Sequence, residues 1–122
     1  MYEIVYYKTS CGNVPIEDFL CSFDKGDTKK LSAIKLYLNM LEKYGPNIKT
    51  FYKSNAVKKL EGDIFELRPG NNRILFFYYI NNQIVLLHGF KKEKNKTPIN
   101  EINKAKNEIK DFKERQSKWI IR

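Results

Sequence analysis

Two arginines flank a short turn in the middle of the chain, and their chemistry is the first feature to explain. Arg68 ends one apolar segment and Arg73 begins the next, with the turn 69–72 between them. Two like charges that face each other across a hairpin are unfavourable unless an anion lies between them. Glu66, two positions before Arg68, could hold one guanidinium group as an internal partner. The spacing therefore predicts an anion-binding site.

A run of lysines follows a later apolar segment, 83–90, and extends this basic region. The run contains Lys91, Lys92, Lys94 and Lys96. Strands joined by short turns run antiparallel, so the end of 83–90 should lie beside the start of 73–80. We therefore expect Lys91 and Lys92 to lie close to the two arginines. Any single lysine of this run could instead belong to a solvated basic surface.

His88 is the only histidine in the sequence. Strict strand alternation places it on one face with Leu86 and Phe90. Two interpretations stay open: a hydrogen-bonded core residue, or a general acid or base near the basic edge. The sequence contains no Ser-His-Asp order, no phosphate-binding loop and no metal-ligand spacing, so we predict neither a metal nor a cofactor.

The overall composition indicates a folded, strongly basic protein. Among 122 residues, 23 Lys and Arg oppose 14 Asp and Glu, which gives a net charge of +9. This excess favours a polyanionic partner: nucleic acid first, an acidic protein second, an anionic membrane surface third. Cys11 and Cys21 lack metal or framework spacing and predict free thiols in a reducing cytosol. No signal peptide or membrane span is evident, so we expect a cytoplasmic protein.

The elements that must position these residues follow from periodicity and turn chemistry. They are a strand at 2–8, helices at 15–26 and 28–44, strands at 57–60, 64–68, 73–80 and 83–90, and a helix at 98–116. This order predicts one α+β domain over 1–122, with two N-terminal helices and a C-terminal helix packed on a mainly antiparallel sheet of four to five strands. For the apolar end at 119–122, folding back, partner binding and fraying all stay open.

Two stretches of the chain resemble a known family. KKLEGDIFELRPGNNRILFFYY (58–79) and VLLHGFKKEKNKTPINEINKAKNEI (85–109) are similar to the RelE/HigB superfamily of toxins from type II toxin–antitoxin systems. The phage-associated HigB branch is the most similar. The resemblance implies a RelE/ParE-like fold and a ribosome-dependent endoribonuclease that cuts messenger RNA. It also implies neutralisation by an antitoxin, which in this branch usually carries a helix-turn-helix domain.

The same resemblance implies roles for the basic residues. The RNA would be cut by its own 2′-hydroxyl without a metal, so cations must stabilise the transition state. The residues implied as catalytic are Arg68, Arg73, His88, Lys91 and Lys92, with Lys59, Lys94 and Lys96 as phosphate contacts and Glu66 orienting Arg68. Two alternatives remain: a non-catalytic ParE-like toxin that inhibits DNA gyrase, and a basic RNA-binding phage accessory protein.

Overall fold

A computed structural model describes the backbone of residues 1–120 and the side chains of residues 1–116. In chain order the elements are β1 (Glu3–Tyr6), α1 (Pro15–Cys21), α2 (Thr28–Tyr44), a 3₁₀ turn (Gly45–Asn47), α3 (Ile48–Phe51), β2 (Val57–Lys59), β3 (Phe65–Leu67), β4 (Asn72–Tyr79), β5 (Gln83–Lys91) and α4 (Ile99–Ile120). Whether the apolar residues 119–122 fold back, bind a partner or fray lies outside the described side chains.

Within the described residues, five strands form one sheet in the order β1-β5-β4-β3-β2. The pairs β2–β3, β3–β4 and β4–β5 are antiparallel, whereas β1 lies parallel to β5 at one edge. Short turns force the antiparallel pairs, and the long helical excursion after β1 permits the parallel one. The predicted α+β class with a mainly antiparallel sheet is confirmed.

Helices cover both faces of the sheet. On the first face, α1, α2 and α3 pack on side chains that include Ile74, Phe76 and Leu86. On the second face, α4 packs on side chains that include Phe77 and Leu87. Because successive strand residues point to opposite faces, the continuous apolar runs of β4 and β5 supply core side chains to both faces of the sheet. Phe76 and Phe77 are both fully buried, and each contributes about 2–3 kcal/mol of transfer free energy.

A β-bulge in β5 changes the face on which His88 lies. Leu75 pairs with His88 but Phe76 pairs with Leu86, so Leu87 is an extra residue in β5. Beyond the bulge, alternation is reset. His88 therefore lies on the α4 face with Phe90, and Leu86 lies on the opposite face. The prediction that grouped these three residues was right for Phe90 and wrong for Leu86.

The ends of the helices differ from the predictions in how they are capped. α2 begins and ends where predicted. Asp27 precedes it and is a residue type that favours helix caps, but its carboxylate accepts a hydrogen bond from the Asp24 N–H at 3.0 Å and does not cap the helix. α1 ends at Cys21, well before Gly26. α4 begins at Ile99, one residue later than predicted.

Gly89 is required where β5 approaches α1. A Cβ atom at this position would lie 2.4 Å from Cδ2 of Phe19. We expect Gly89→Ala to lower the free energy of unfolding by about 1–3 kcal/mol, because Phe19 and α1 must move apart from the strand. Urea denaturation measures the change. Gly26→Ala is the matched control, since no atom lies within 4 Å of a Cβ there. Equal stability of both variants would contradict the prediction.

Cys11 and Cys21 are exposed free thiols. Across the described part of the chain, every helix is too short or too polar to traverse a lipid bilayer.

Candidate functional site

Glu66 is the centre of a buried polar cluster at the end of β3. Its side chain is almost completely enclosed. One carboxylate oxygen lies 3.6 Å from Nε of Arg68 and 3.8 Å from Nε of Arg73. The other oxygen accepts a hydrogen bond from the hydroxyl of Thr97. A single carboxylate thus joins two arginines and the loop that leads into α4.

Strand alternation and register bring these groups together. Glu66 pairs with Leu75, whose side chain faces α4, so Glu66 faces α4 as well. Arg73 lies two residues before Leu75 on the same strand and therefore shares this face. Thr97 precedes Pro98, and this pair is typical of a helix cap followed by the first helical residue, but the Thr97 hydroxyl donates to Glu66 instead. The N–H groups of Glu101 and Ile102, the third and fourth residues of α4, donate to the carbonyl of Pro98 at 3.1 Å and 3.3 Å.

The two arginines have different exposure and different partners. The Arg73 side chain is 7% exposed, and its Nη1 donates to the carbonyls of Gly70 at 2.9 Å and Asn72 at 2.8 Å. The Arg68 side chain is 29% exposed. Burial lowers the pKa of Arg73, Glu66 opposes this shift, and the charge of Arg68 adds to it. Arginine stays charged even so. Arg73 is held by its own turn, whereas Arg68 can reach a ligand.

Three lysines surround this cluster. Lys92, Lys94 and Lys96 line a narrow cleft together with Glu66 and Arg73. The backbone N–H of Lys92 donates to the carbonyl of Asn71 at 2.7 Å, which extends the β4–β5 hairpin into the lysine run. Arg68 does not line this cleft but contacts Glu66 at its edge. We refer to the charged cluster together with Thr97 as the arginine cleft: Glu66, Arg68, Arg73, Lys92, Lys94, Lys96 and Thr97. One carboxylate among five cations gives it a strong positive charge.

Two of the predicted basic residues lie elsewhere. Lys91 faces the α1–α2 side of the sheet, away from Lys92. Lys59 also lies on that side, with its Nζ 6.0 Å from the centre of the Phe65 ring. The expectation that Lys91 joins the arginines is therefore corrected. Adjacent strand residues point to opposite faces, so a continuous lysine run divides between them.

Lys58 is a cation near the site that the sequence did not single out. It is the direct cross-strand partner of Glu66 and is exposed. Directly opposed residues share a face, so Lys58 adds to the positive charge around the arginine cleft. Only the β2–β3 register reveals this, since Lys58 and Lys59 are otherwise equivalent in the sequence.

His88 links β5 to α4 and is almost fully buried. Its Nδ1 lies 2.6 Å from a Glu108 oxygen and its Nε2 lies 2.9 Å from a Glu101 oxygen. Both ring nitrogens are engaged by carboxylates, which requires an imidazolium ring or a protonated carboxyl group. His88 does not line the arginine cleft. The geometry favours the core interpretation of this residue.

A second polar contact attaches α4 to the residue that directly follows β1. The Tyr7 hydroxyl donates to a carboxylate oxygen of Asp111 at 2.7 Å, and Arg115 also donates to that oxygen at 2.7 Å. Burial, and then the hydrogen bond to Asp111, raise the pKa of Tyr7 to about 12. Together with His88, this contact fixes α4 and hence the loop that carries Thr97. Among the described residues, no group of three or more His, Cys, Asp and Glu is placed to hold a metal ion.

The comparison with protein families assigns the chain to one of them. Its five-stranded mixed sheet covered by helices is consistent with a helix-on-sheet fold of the RelE-like kind. Residues 19–110 match the family described as Phage derived protein Gp49-like (DUF891), and the protein belongs to that family. The matched segment contains every residue of the arginine cleft. No curated protein matches the chain.

Proposed function

We propose that this protein is the toxin of a type II toxin–antitoxin system, of the HigB branch, and cleaves messenger RNA on the ribosome. The Gp49-like family is associated with RelE-like toxins. The observation that carries the proposal is the arginine cleft, in which buried Glu66 holds a partly exposed Arg68 beside Arg73. Three lysines extend the positive charge along the cleft. Such a site suits a phosphodiester whose negative charge increases during reaction.

The proposed reaction is transesterification within the RNA. The 2′-oxygen attacks the adjacent phosphorus, the bond to the 5′-oxygen breaks, and a cyclic 2′,3′-phosphate and a 5′-hydroxyl form. Arg68 offers a planar, two-pronged contact to the non-bridging oxygens. Glu66 and Arg73 are positioning residues, because they fix the Arg68 guanidinium and the turn beside it.

In this proposal a lysine ammonium of the cleft donates a proton to the leaving 5′-oxygen, and solvent water accepts the proton of the 2′-hydroxyl. One proton leaves the 2′-hydroxyl and one joins the 5′-oxygen, so the reaction needs both an acceptor and a donor. Lys92, Lys94 and Lys96 carry the amines that line the cleft. His88 has no role in this proton transfer, because both of its ring nitrogens already contact the carboxylates of Glu101 and Glu108.

The proposed partner is a cognate antitoxin of the helix-turn-helix type, which would neutralise the toxin by covering the arginine cleft. An acidic segment complements the charge of Lys92, Lys94 and Lys96 best. Co-expression should then restore growth.

The test is inducible expression with and without the adjacent antitoxin gene, followed by mapping of RNA 5′ ends. We expect growth arrest and new, translation-dependent ends in messenger RNA, both removed by the antitoxin. Intact messages together with a DNA-damage response would refute the nuclease and support gyrase inhibition. Unimpaired growth would support a non-toxic RNA-binding protein instead.

A further inference from the structure

We infer that a second RNA site lies across the 69–72 turn from the arginine cleft and takes a nucleotide next to the cleaved phosphate. This inference rests on the proposed function. A pocket of about 430 Å³ separates α1 and α2 from this turn, and pockets of this size hold small ligands, with apolar and aromatic walls and a few polar groups. We call it the α1–α2 pocket; the residues that argue for it are Phe19, Phe23, Lys29, Lys30, Asn71 and Lys91.

The 69–72 turn separates the α1–α2 pocket from the arginine cleft and contacts both. Gly70 and Asn72 line the pocket on one side. Their carbonyls accept the hydrogen bonds of Arg73 on the other side, at 2.9 Å and 2.8 Å. Lys91 and Lys92 divide between the two sites in the same way. A single strand whose phosphate lies in the cleft would therefore cross the turn and enter the pocket.

The charge in the α1–α2 pocket is positive and incompletely paired. Lys30 contacts Asp27 at 3.5 Å, whereas no carboxylate in the described residues pairs with Lys29 or Lys91. Both Lys29 and Lys30 lie in the first turn of α2, which contains no acidic residue. Cations there oppose the helix dipole, so they weaken the helix unless an anion is bound nearby. A phosphate between Lys29 and Lys91 would supply that anion.

Aromatic side chains in the same pocket favour RNA over an acidic protein segment. Phe19 is fixed against Gly89, and Phe23 packs edge-on against Phe19 with ring centres 5.1 Å apart. Phe23 is only partly buried. Bases of single-stranded nucleic acid stack on such rings irrespective of sequence. The lysines of the pocket can thus bind the phosphate of a nucleotide while a phenylalanine stacks on its base. The exposed Asn71 amide can form a hydrogen bond to the edge of that base.

The experiment measures binding of a short fluorescent single-stranded RNA to the full chain by anisotropy, at several salt concentrations. Its sugars carry 2′-O-methyl groups, which remove the nucleophile and prevent cleavage. We expect Lys29→Ala and Lys91→Ala each to reduce the slope of log affinity against log salt by about 0.7. Phe23→Leu should weaken binding about fivefold or more. Lys35→Ala, an exposed change on the same helix, should match wild type.

Arg68→Ala separates this inference from the proposed function. If it weakens RNA binding while the Lys29, Lys91 and Phe23 variants bind like wild type, the α1–α2 pocket is not an RNA site and the cleft still is. Wild-type protein that binds no RNA overturns the inference alone, because the proposed cleavage takes place on the ribosome and is tested there by mapping of RNA 5′ ends. Binding of an oligoglutamate peptide that requires Lys29 and Lys91, with RNA affinity unchanged in those variants, would assign the pocket to an acidic protein and overturn the inference. Thermal unfolding verifies that each variant is folded.

Discussion

Replacing Arg68 with alanine is expected to slow RNA cleavage by about two to three orders of magnitude, the usual cost of losing one transition-state donor. Glu66 holds the Arg68 guanidinium in place, and the side chain is exposed enough to meet a phosphate. Without Arg68, the cleft keeps the positive charges of Lys92, Lys94 and Lys96. None of these lysines has a planar guanidinium group that can contact two phosphate oxygens at once. Because Arg68 is not part of the apolar core, the free energy of unfolding should change little.

Single-turnover cleavage on programmed ribosomes measures this effect, and growth after induction gives a second readout. Arg68→Lys should recover only part of the rate, since it keeps the charge and loses the two-pronged contact. Lys110→Ala removes an exposed charge from α4 and serves as the matched control. If Arg68→Ala cleaves as fast as Lys110→Ala does, the arginine cleft is not where the transition state forms.

The strands and turns of the central hairpin could be predicted because their signals are local. β4 and β5 begin and end within one residue of the predicted segments. Asn81 and Asn82 both have positive φ, at 57° and 59°. Asparagine tolerates the left-handed conformation that both central residues of this hairpin turn adopt, so an Asn-Asn pair between two apolar segments is sufficient to locate the turn. The α+β class followed from the order of these segments.

The face of the sheet to which a strand residue points can be predicted only where side chains alternate regularly along the strand. The bulge at Leu87 adds one residue to β5, and nothing in a run of apolar residues marks it. His88 consequently faces α4 and meets Glu101 and Glu108, which lie on a helix far along the chain. Both glutamates read as ordinary polar residues of an amphipathic helix.

The arginine cleft is formed by segments that lie far apart in the chain. Contacts between such segments cannot be predicted from the spacing of residues in the sequence. The sequence indicated Glu66 as a partner of Arg68, and the two lie together. Thr97 read as a helix cap, yet it joins Glu66 from the loop before α4. That loop and its lysines enclose Arg73 more than Arg68, which is why the two arginines are equivalent in the sequence and unequal in the fold.

This inequality leads to the largest expected effect on stability. Replacing Glu66 with alanine should lower the free energy of unfolding by about 3–5 kcal/mol, the usual cost of leaving a buried charge without its partner. Arg73 keeps its bonds to the carbonyls of Gly70 and Asn72, but its Nε loses the nearby carboxylate. Thr97 loses its acceptor as well. Glu66→Gln should cost less, since the amide oxygen can still accept from Thr97.

Urea denaturation at neutral pH, combined with a double-mutant cycle, isolates the buried pair from its surroundings. Arg73→Met alone should also destabilise, because Glu66 then keeps only the more exposed Arg68. In the Glu66→Ala/Arg73→Met double variant neither member of the pair remains as an unpaired buried charge. The decrease in the free energy of unfolding should therefore be clearly smaller than the sum of the decreases in the two single variants. Glu61→Ala removes a half-exposed carboxylate that pairs with Lys106, and should cost at most about 1 kcal/mol. If Glu66→Ala costs no more than Glu61→Ala, or if the two losses simply add, Glu66 does not neutralise Arg73, and the cleft owes its geometry to the turn alone.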